Sequence, residues 1–423
     1  MLISVQEALS RALDGCEPLP SEAVDIARID GRIAAQTLQA RWDLPQRDLS
    51  IMDGYAVRSE DVAQARACGN AIVLQVRGSS AAGHPCDAPL SPGEARRIFT
   101  GAVIPTGADA VIAQEDTRRE GDQLIVDDGT VGDVLPGTFV RPQGAELREH
   151  DVVVRPGDRL GPGDIALLAG CGHATLEVVR RPRVAILSTG DELVPVGQRP
   201  GPAQVVSSNG LVLAAMVRRA GAEPVQLDHA IDQPDQLRAA LAEGLRADVL
   251  VTSGGISVGD HDLVHGQLEQ LGAVTRFRGV ALRPGKPTTY AVVPADPGGN
   301  AKATTRVFAL PGNPASSLVT FALFVHPVLR RLGGVLAEPG LPRRRVRLRA
   351  PARGAGRRAH YVRAALVDDE AVPLSVQQSG DLRSIAGAEL LIVVPPGVTE
   401  LAASTMVDAI ELEPALAERA PRR

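Results

Sequence analysis

The sequence predicts a multidomain α/β protein: a central parallel-sheet α/β domain, a β-rich insert domain, an N-terminal/linker domain and a C-terminal β-barrel-like domain. Three observations carry this expectation. From Arg183 to Gly333 apolar strand-like runs alternate with helical segments, the pattern of a parallel sheet covered by helices. From Leu44 to about Pro136 the chain is rich in Gly, Pro and short β-like runs, and beyond Gly333 only strand-like runs recur. At 423 residues the chain has room for two to four domains, at roughly 100 to 200 residues each. The expected boundaries are 1–42 with 139–180 for the N-terminal/linker domain, 43–138 for the insert, 181–333 for the α/β domain and 334–423 for the C-terminal domain.

Taken in order, "MLISVQEALSRALDG" reads as an amphipathic helix, with Ser4 and Glu7 at capping-box spacing. It lacks the basic start and apolar core of a signal peptide. The insert offers "AIVLQVRG", "RRIFTG", "ADAVIAQE" and "QLIVDD" as strands, and "DVVVRPGDRLGPGDIALLAGCG" as a turn and short helix packing with the N-terminal helices. The central block reads "RVAILST", "NGLVLAAMVRRAG", "EPVQLDHA", "PDQLRAALAEGLR", "ADVLVTSGG", a helix after Asp260, then "TRVFALPGNPASSLVTFALFVHPVLRRL". "RRRVRLRA", "HYVRAALV", "LLIVVPP" and "MVDAIEL" supply C-terminal strands.

Composition narrows the function. Apolar residues make up 44%, charged residues 22%, and the net charge of -5 gives no general attraction to nucleic acid. Nine arginines between Arg343 and Arg363 alternate as on a solvated strand face, and aromatics for base stacking are scarce. Cys16, Cys68, Cys86 and Cys171 form no CxxC pair, which points to a reduced, cytoplasmic protein. The most apolar run, Leu318 to Leu329, is too short to cross a bilayer.

Three loops fall where strands of such a sheet end and where ligands of α/β sheets bind. "STGDEL" offers Thr189, Gly190, Asp191 and Glu192; "TSGGISVGDHD" offers Ser253, Gly254, Gly255, Asp260 and Asp262; "LPGNPAS" offers Pro311, Gly312, Asn313 and Ser316. Backbone N–H groups at helix starts attract phosphate, and nearby carboxylates suit a magnesium ion. "LRPGKPTTY" sets Arg283 and Lys286 about a Pro-Gly turn, equipment for an oxyanion or for an ordinary hairpin. His261 and His265 have the spacing of zinc enzymes, but no Glu base or third ligand accompanies them, so they read as helix-surface histidines.

In this order, "SIMDGYAVR", "RIFTGAVIPTGADAVI", "RPRVAILSTGDEL", "TSGGISVGDHD", "RPGKP" and "LPGNPAS" resemble the molybdopterin molybdenumtransferase family, of the bacterial MoeA and gephyrin E-domain type, over residues 3 to 413. The resemblance implies an elongated subunit in a homodimer with composite active sites, and insertion of molybdate into adenylylated molybdopterin with magnesium-dependent release of AMP. It implies an upstream MogA-like adenylyltransferase and downstream molybdoenzyme maturation factors as partners. Asp53, Thr100, Glu146 and Glu192 match catalytic positions, Asp232 and Asp262 the magnesium ligands, and Arg363 and Ser384, with Arg283 and Lys286, positions associated with molybdate. Some residues depart from the pattern: Glu146 stands where Asp is expected, Arg283 and Gly279 where lysine occurs, Leu49 and Glu389 where Asn occurs. Glu146, Gly279 and Glu389 motivate an alternative, a catalytically weakened paralogue that carries molybdopterin or scaffolds its assembly.

Overall fold

The computed structural model describes residues 2–126, 131–231, 233–255, 263–294 and 304–412. The first helix, Val5–Leu13, starts as its sequence predicts: the Ser4 hydroxyl accepts the Glu7 N–H at 3.1 Å. Its Val5, Ala8, Leu9, Ala12 and Leu13 recur at helical spacing and pack into the core of the central domain. The helix Pro162–Gly170 packs instead on the segment around Ile26–Arg28, in a small separate core with Val154, Leu160 and Val178.

The insert is a six-stranded sheet in the order Ala110–Ala113, Gly54–Val57, Glu94–Ile98, Ile72–Ser80, Gln123–Val126, Thr117–Glu120. Alternating residues of these strands, among them Tyr55, Ile72, Leu74, Ala95, Ile112 and Leu124, bury a core of their own.

The central sheet runs Glu223–Gln226, Arg183–Ser188, Val249–Ser253, Thr305–Leu310, Thr289–Val293, Val274–Arg278. The first four strands are parallel; the helices Asn209–Arg219 and Pro234–Gly244 join the first three of them, and Leu263–Gln270 leads from Val249–Ser253 to the far edge at Val274–Arg278. The last two are antiparallel, an edge that the alternating pattern does not announce because a Pro-Gly turn, not a crossover helix, connects them. Val249–Ser253 and Thr305–Leu310 are buried along their whole length, as continuous apolar strands between helical layers should be.

Five C-terminal strands close a barrel: Ala359–Val367 pairs with Glu370–Pro373, then Arg343–Leu348, Met406–Glu411 and Leu390–Val394 follow, and the last returns to Ala359–Val367. Arg343, Arg345 and Arg347 lie on its outer face while Val346 and Leu348 point inward, and Arg344, of the inward parity, is half-buried and pairs with Asp369 and Glu411. A sixth strand, Leu282–Arg283, leaves the Pro-Gly turn of the central domain and pairs with Ala359 and His360. That pairing fastens the barrel to the central sheet and sets Arg283 opposite His360.

Candidate functional site

At the carboxyl ends of the parallel strands the three predicted loops are hydrogen-bonded to one another. The Thr189 N–H donates to Ser253 O at 3.0 Å, and the Gly254 N–H to Leu310 O at 3.2 Å. Only glycine fits at Gly254: its φ is +103°, and an added Cβ would lie 2.2 Å from Thr189 O. Thr189 is buried and its hydroxyl has no hydrogen-bond partner among the described residues. Glu192 folds back over Gly190, whose carbonyl takes a 2.7 Å hydrogen bond from His229. Asp232, Asp260 and Asp262 lie outside the described residues.

One contributor goes unnoticed in the sequence, where it reads only as a helix start. Asn209 Nδ2 donates to Ser253 Oγ at 2.8 Å and to Gly312 O at 2.7 Å, tying the second loop to the third. Ser317 continues the tie, its hydroxyl donating to Pro311 O.

Beside these loops opens a cleft of about 590 Å³. Arg283 and Lys286 line it from the Pro-Gly turn, Pro311, Asn313 and Ser316 from the third loop, and Arg358 and Gln377 to Gly380 from the barrel. Arg358 is a further cation that the arginine-rich run conceals. Arg363 stands behind this wall with 0% of its surface exposed. Its Nη2 donates to Gln378 O at 3.0 Å, while Nε and Nη1 have no partner among the described residues. Burial pushes its pKa down, against the attraction of Asp381. Asp381 caps the helix Leu382–Ala386: its Oδ1 accepts the Ser384 N–H at 2.7 Å, and the Ser384 hydroxyl donates to Asp381 O at 2.8 Å. Ser384 is thus buried in the turn that holds Asp381 near Arg363.

The remaining predicted residues are not brought to this cleft within the chain. Asp53 Oδ1 accepts both the Thr100 N–H at 2.8 Å and the Thr100 hydroxyl at 2.9 Å. Those two bonds, the backbone one first, hold the Asp53 carboxyl below the usual carboxylate range. Arg97 lies alongside, stacked on Tyr55 and Phe99, and every hydrogen bond of Asp53 and Thr100 stays inside the insert. Glu146 pairs with Arg141 at 2.6 Å. His265 pairs with Glu269 at 3.3 Å, one turn along its helix. Two of the departures have structural roles: Gly279 has φ +85° and an added Cβ would strike Leu2, and Glu389 accepts the Leu366 N–H at 2.7 Å.

Fold and site together define a multidomain α/β protein with a cleft between glycine-rich strand-end loops and a cationic wall. Comparison with known families is specific. Residues 3–172 match the MoeA N-terminal region (domain I and II), residues 185–331 a probable molybdopterin binding domain, and residues 345–412 the MoeA C-terminal region (domain IV). A Nostoc protein named molybdopterin molybdenumtransferase is 38% identical, the alignment covering 93% of this chain and 89% of the relative. The Mycobacterium tuberculosis molybdopterin molybdenumtransferase 2 is 33% identical over 96% of this chain and 98% of its own. The crystal structure of a molybdopterin biosynthesis MoeA protein from Pyrococcus horikosii superposes with a TM-score of 0.83 at 32% identity, covering 98% of this chain and 100% of that one. The chain belongs to the molybdopterin molybdenumtransferase family, a family of transferases.

Proposed function

We propose that this protein acts in molybdenum cofactor biosynthesis, inserting molybdate into adenylylated molybdopterin with release of AMP. The observation that carries the reading is Arg363: a fully buried guanidinium with two nitrogens unbonded among the described residues, behind a cleft that already holds Arg283, Lys286 and Arg358. Such a group is costly to bury unless an anion meets it, and a tetrahedral dianion is a fitting partner. The cations of the cleft would hold molybdate, while the loops around Thr189, Ser253, Gly254, Gly255 and Gly312 would take the pterin phosphate and the nucleotide through backbone N–H groups. Asn209 keeps the second and third loops in register, so the two substrates meet where the loops adjoin the barrel wall.

The described donors at this mouth, the oxygens of Thr189, Glu192 and Ser253, are all hard, the chemistry magnesium prefers. Asp232 and Asp262 would hold that ion with Glu192 close by. When bound, it would supply charge neutralisation on the phosphoanhydride. The cleft lies in the central domain and barrel, whereas Asp53 and Thr100 form their own pair in the insert. A homodimer in which the insert of one subunit reaches the mouth of the other would complete the site with an ionised Asp53. Glu146, at the chain segment leading back from the insert, would then set the approach of that domain. The adenylylated substrate would come from a MogA-like adenylyltransferase, and the product would pass to molybdoenzyme maturation factors in the cytoplasm. No described helix is long and apolar enough to cross a membrane.

The test supplies the purified protein with adenylylated molybdopterin, molybdate and magnesium. Release of AMP together with formed cofactor supports the enzyme. Tight binding of the pterin without turnover would instead make the protein a carrier or scaffold.

A further inference from the structure

A second cationic cleft lies at the other end of the central sheet. Arg180 and Arg181 precede the strand Arg183–Ser188, and Gly221 precedes Glu223–Gln226, so this cleft faces the amino ends of the strands. A six-residue strand, about 20 Å of chain, separates it from the loops described above. Its walls come from the linker segment at Arg32, from Arg180 and Arg181, and from the helix His326–Leu332 at Arg330. The space inside, about 20 Å³, suits a small inorganic ion and not a nucleotide.

The charges here do not balance. Arg32 pairs with Glu22 and also donates to Val179 O at 3.1 Å, and Arg180 forms a two-pronged pair with Asp248 at 2.8 Å on each arm. Both local carboxylates are thereby engaged. Arg330 is half-buried, and its side chain has no hydrogen bond or ion pair among the described residues. Arg331 next to it shows the ordinary alternative for a cation at a helix end, donating to Leu336 O at 3.2 Å. Burial first, and then the charge of Arg159, push the Arg330 pKa down. Arg181 and Arg159 are exposed and have no carboxylate partner among the described residues. Two cations without a carboxylate partner among the described residues, Arg330 and Arg181, therefore line this small cleft, with Arg159 close enough to act on Arg330, in a chain whose net charge is -5.

We propose that the cleft formed by Arg330, Arg181, Arg32 and Arg180 binds a small tetrahedral oxyanion, of the size and charge of sulfate or phosphate. Arg330 and Arg181 hold it directly, since guanidinium groups match oxyanion geometry. Arg32 and Arg180, already fixed by Glu22 and Asp248, line the pocket with pre-positioned N–H groups. The bound ion joins the linker segment, the first sheet strand and the helix His326–Leu332, so it stabilises the junction between the N-terminal and central domains.

The test uses sulfate, titrated calorimetrically against chloride at constant ionic strength. Arg363→Met serves as the starting protein, which removes the buried guanidinium behind the first cleft, and the second substitution then assigns the remaining sulfate to one cleft or the other. One saturable sulfate per chain is expected there, with a sulfate-dependent rise in melting temperature. Adding Arg330→Met, which keeps the aliphatic packing, is expected to abolish both while leaving the protein folded in chloride. If the doubly substituted protein does not fold, Arg181→Gln replaces Arg330→Met and is expected to weaken sulfate about ten-fold or more, the loss of one charge-assisted contact. The proposal is overturned if Arg363→Met binds no sulfate, or if it binds sulfate with an affinity that the deciding second substitution leaves unchanged.

Discussion

Replacing Arg363 by methionine is expected to abolish activity and yet stabilise the barrel. The side chain is wholly buried, and two of its three nitrogens make no hydrogen bond among the described residues. Each unsatisfied buried donor costs about 1–3 kcal/mol, so the anion-free protein carries roughly 2–6 kcal/mol of strain at this one residue. Methionine fills similar volume without that cost. It forfeits the bond to Gln378 O, a charge-assisted contact worth about 1.5–3 kcal/mol. At the midpoints of these ranges the net is a stabilisation of about 2 kcal/mol, a rise of a few degrees in the transition that includes the barrel. Molybdate should reverse the order, because an anion that binds only the folded wild type at 100 times its dissociation constant adds about 2.7 kcal/mol. Differential scanning calorimetry with and without molybdate, in an Arg330→Met background to silence the second cleft, reads both effects. A strongly destabilised Arg363→Met that keeps its turnover would show that Arg363 is a structural residue and that the oxyanion reading is wrong.

Three further outcomes follow from the same geometry. Asp53→Ala and Asp262→Ala should each form dimers and each lose at least about 100-fold in turnover, and mixed dimers of the two should regain activity in one intact site; an isolated heterodimer as inactive as its parents would place both residues in one chain's site. Asn209→Ala, which leaves Gly312 O and Ser253 Oγ without this donor, should cost about 1–2 kcal/mol in kcat/KM, about 5- to 30-fold, mostly through KM; an unchanged KM would remove its positioning role. His326 is held neutral by burial, its pKa pushed down to about 4 from an ordinary 6.5. Because the unfolded chain binds the proton first, its contribution is intact above pH 6.5 and is lost as the pH falls toward 4. Between pH 7 and pH 5 this amounts to about 2 kcal/mol, and His326→Leu should flatten that part of the stability profile in denaturant titrations; an equal slope in both proteins would contradict it.

The parallel half of the central sheet was legible because buried strands such as "DVLVTS" are continuous apolar runs that stop at glycine, and the three loops at their ends do meet. The antiparallel edge and the Leu282–Arg283 strand were not legible. Their partners lie tens of residues away, and the Pro-Gly turn between them is equally suited to an isolated hairpin. Local pattern likewise found the barrel strands without their closure, which depends on pairing Ala359–Val367 with Leu390–Val394 across the chain. Arg283, Lys286, Asn313 and Ser316 were found as motif residues and share one cleft. Arg358 escaped because one arginine among nine carries no distinguishing signal, and Asn209 because its two bonds reach residues 44 and 103 positions away. Arg330 belongs to the same kind: nothing in "PVLRRL" tells a cation that finds a carbonyl from one that does not.

With the cationic wall around Arg363 holding it, molybdate would be a reactant in the cleavage that frees AMP. AMP release by wild-type protein and by Arg363→Met should therefore be measured against molybdate concentration, with adenylylated molybdopterin and magnesium saturating. The rate should rise with molybdate and saturate in the wild type, and stay flat and near zero in Arg363→Met with pterin binding retained. AMP release that ignores molybdate, or an Arg363→Met curve that overlays the wild type, would contradict it.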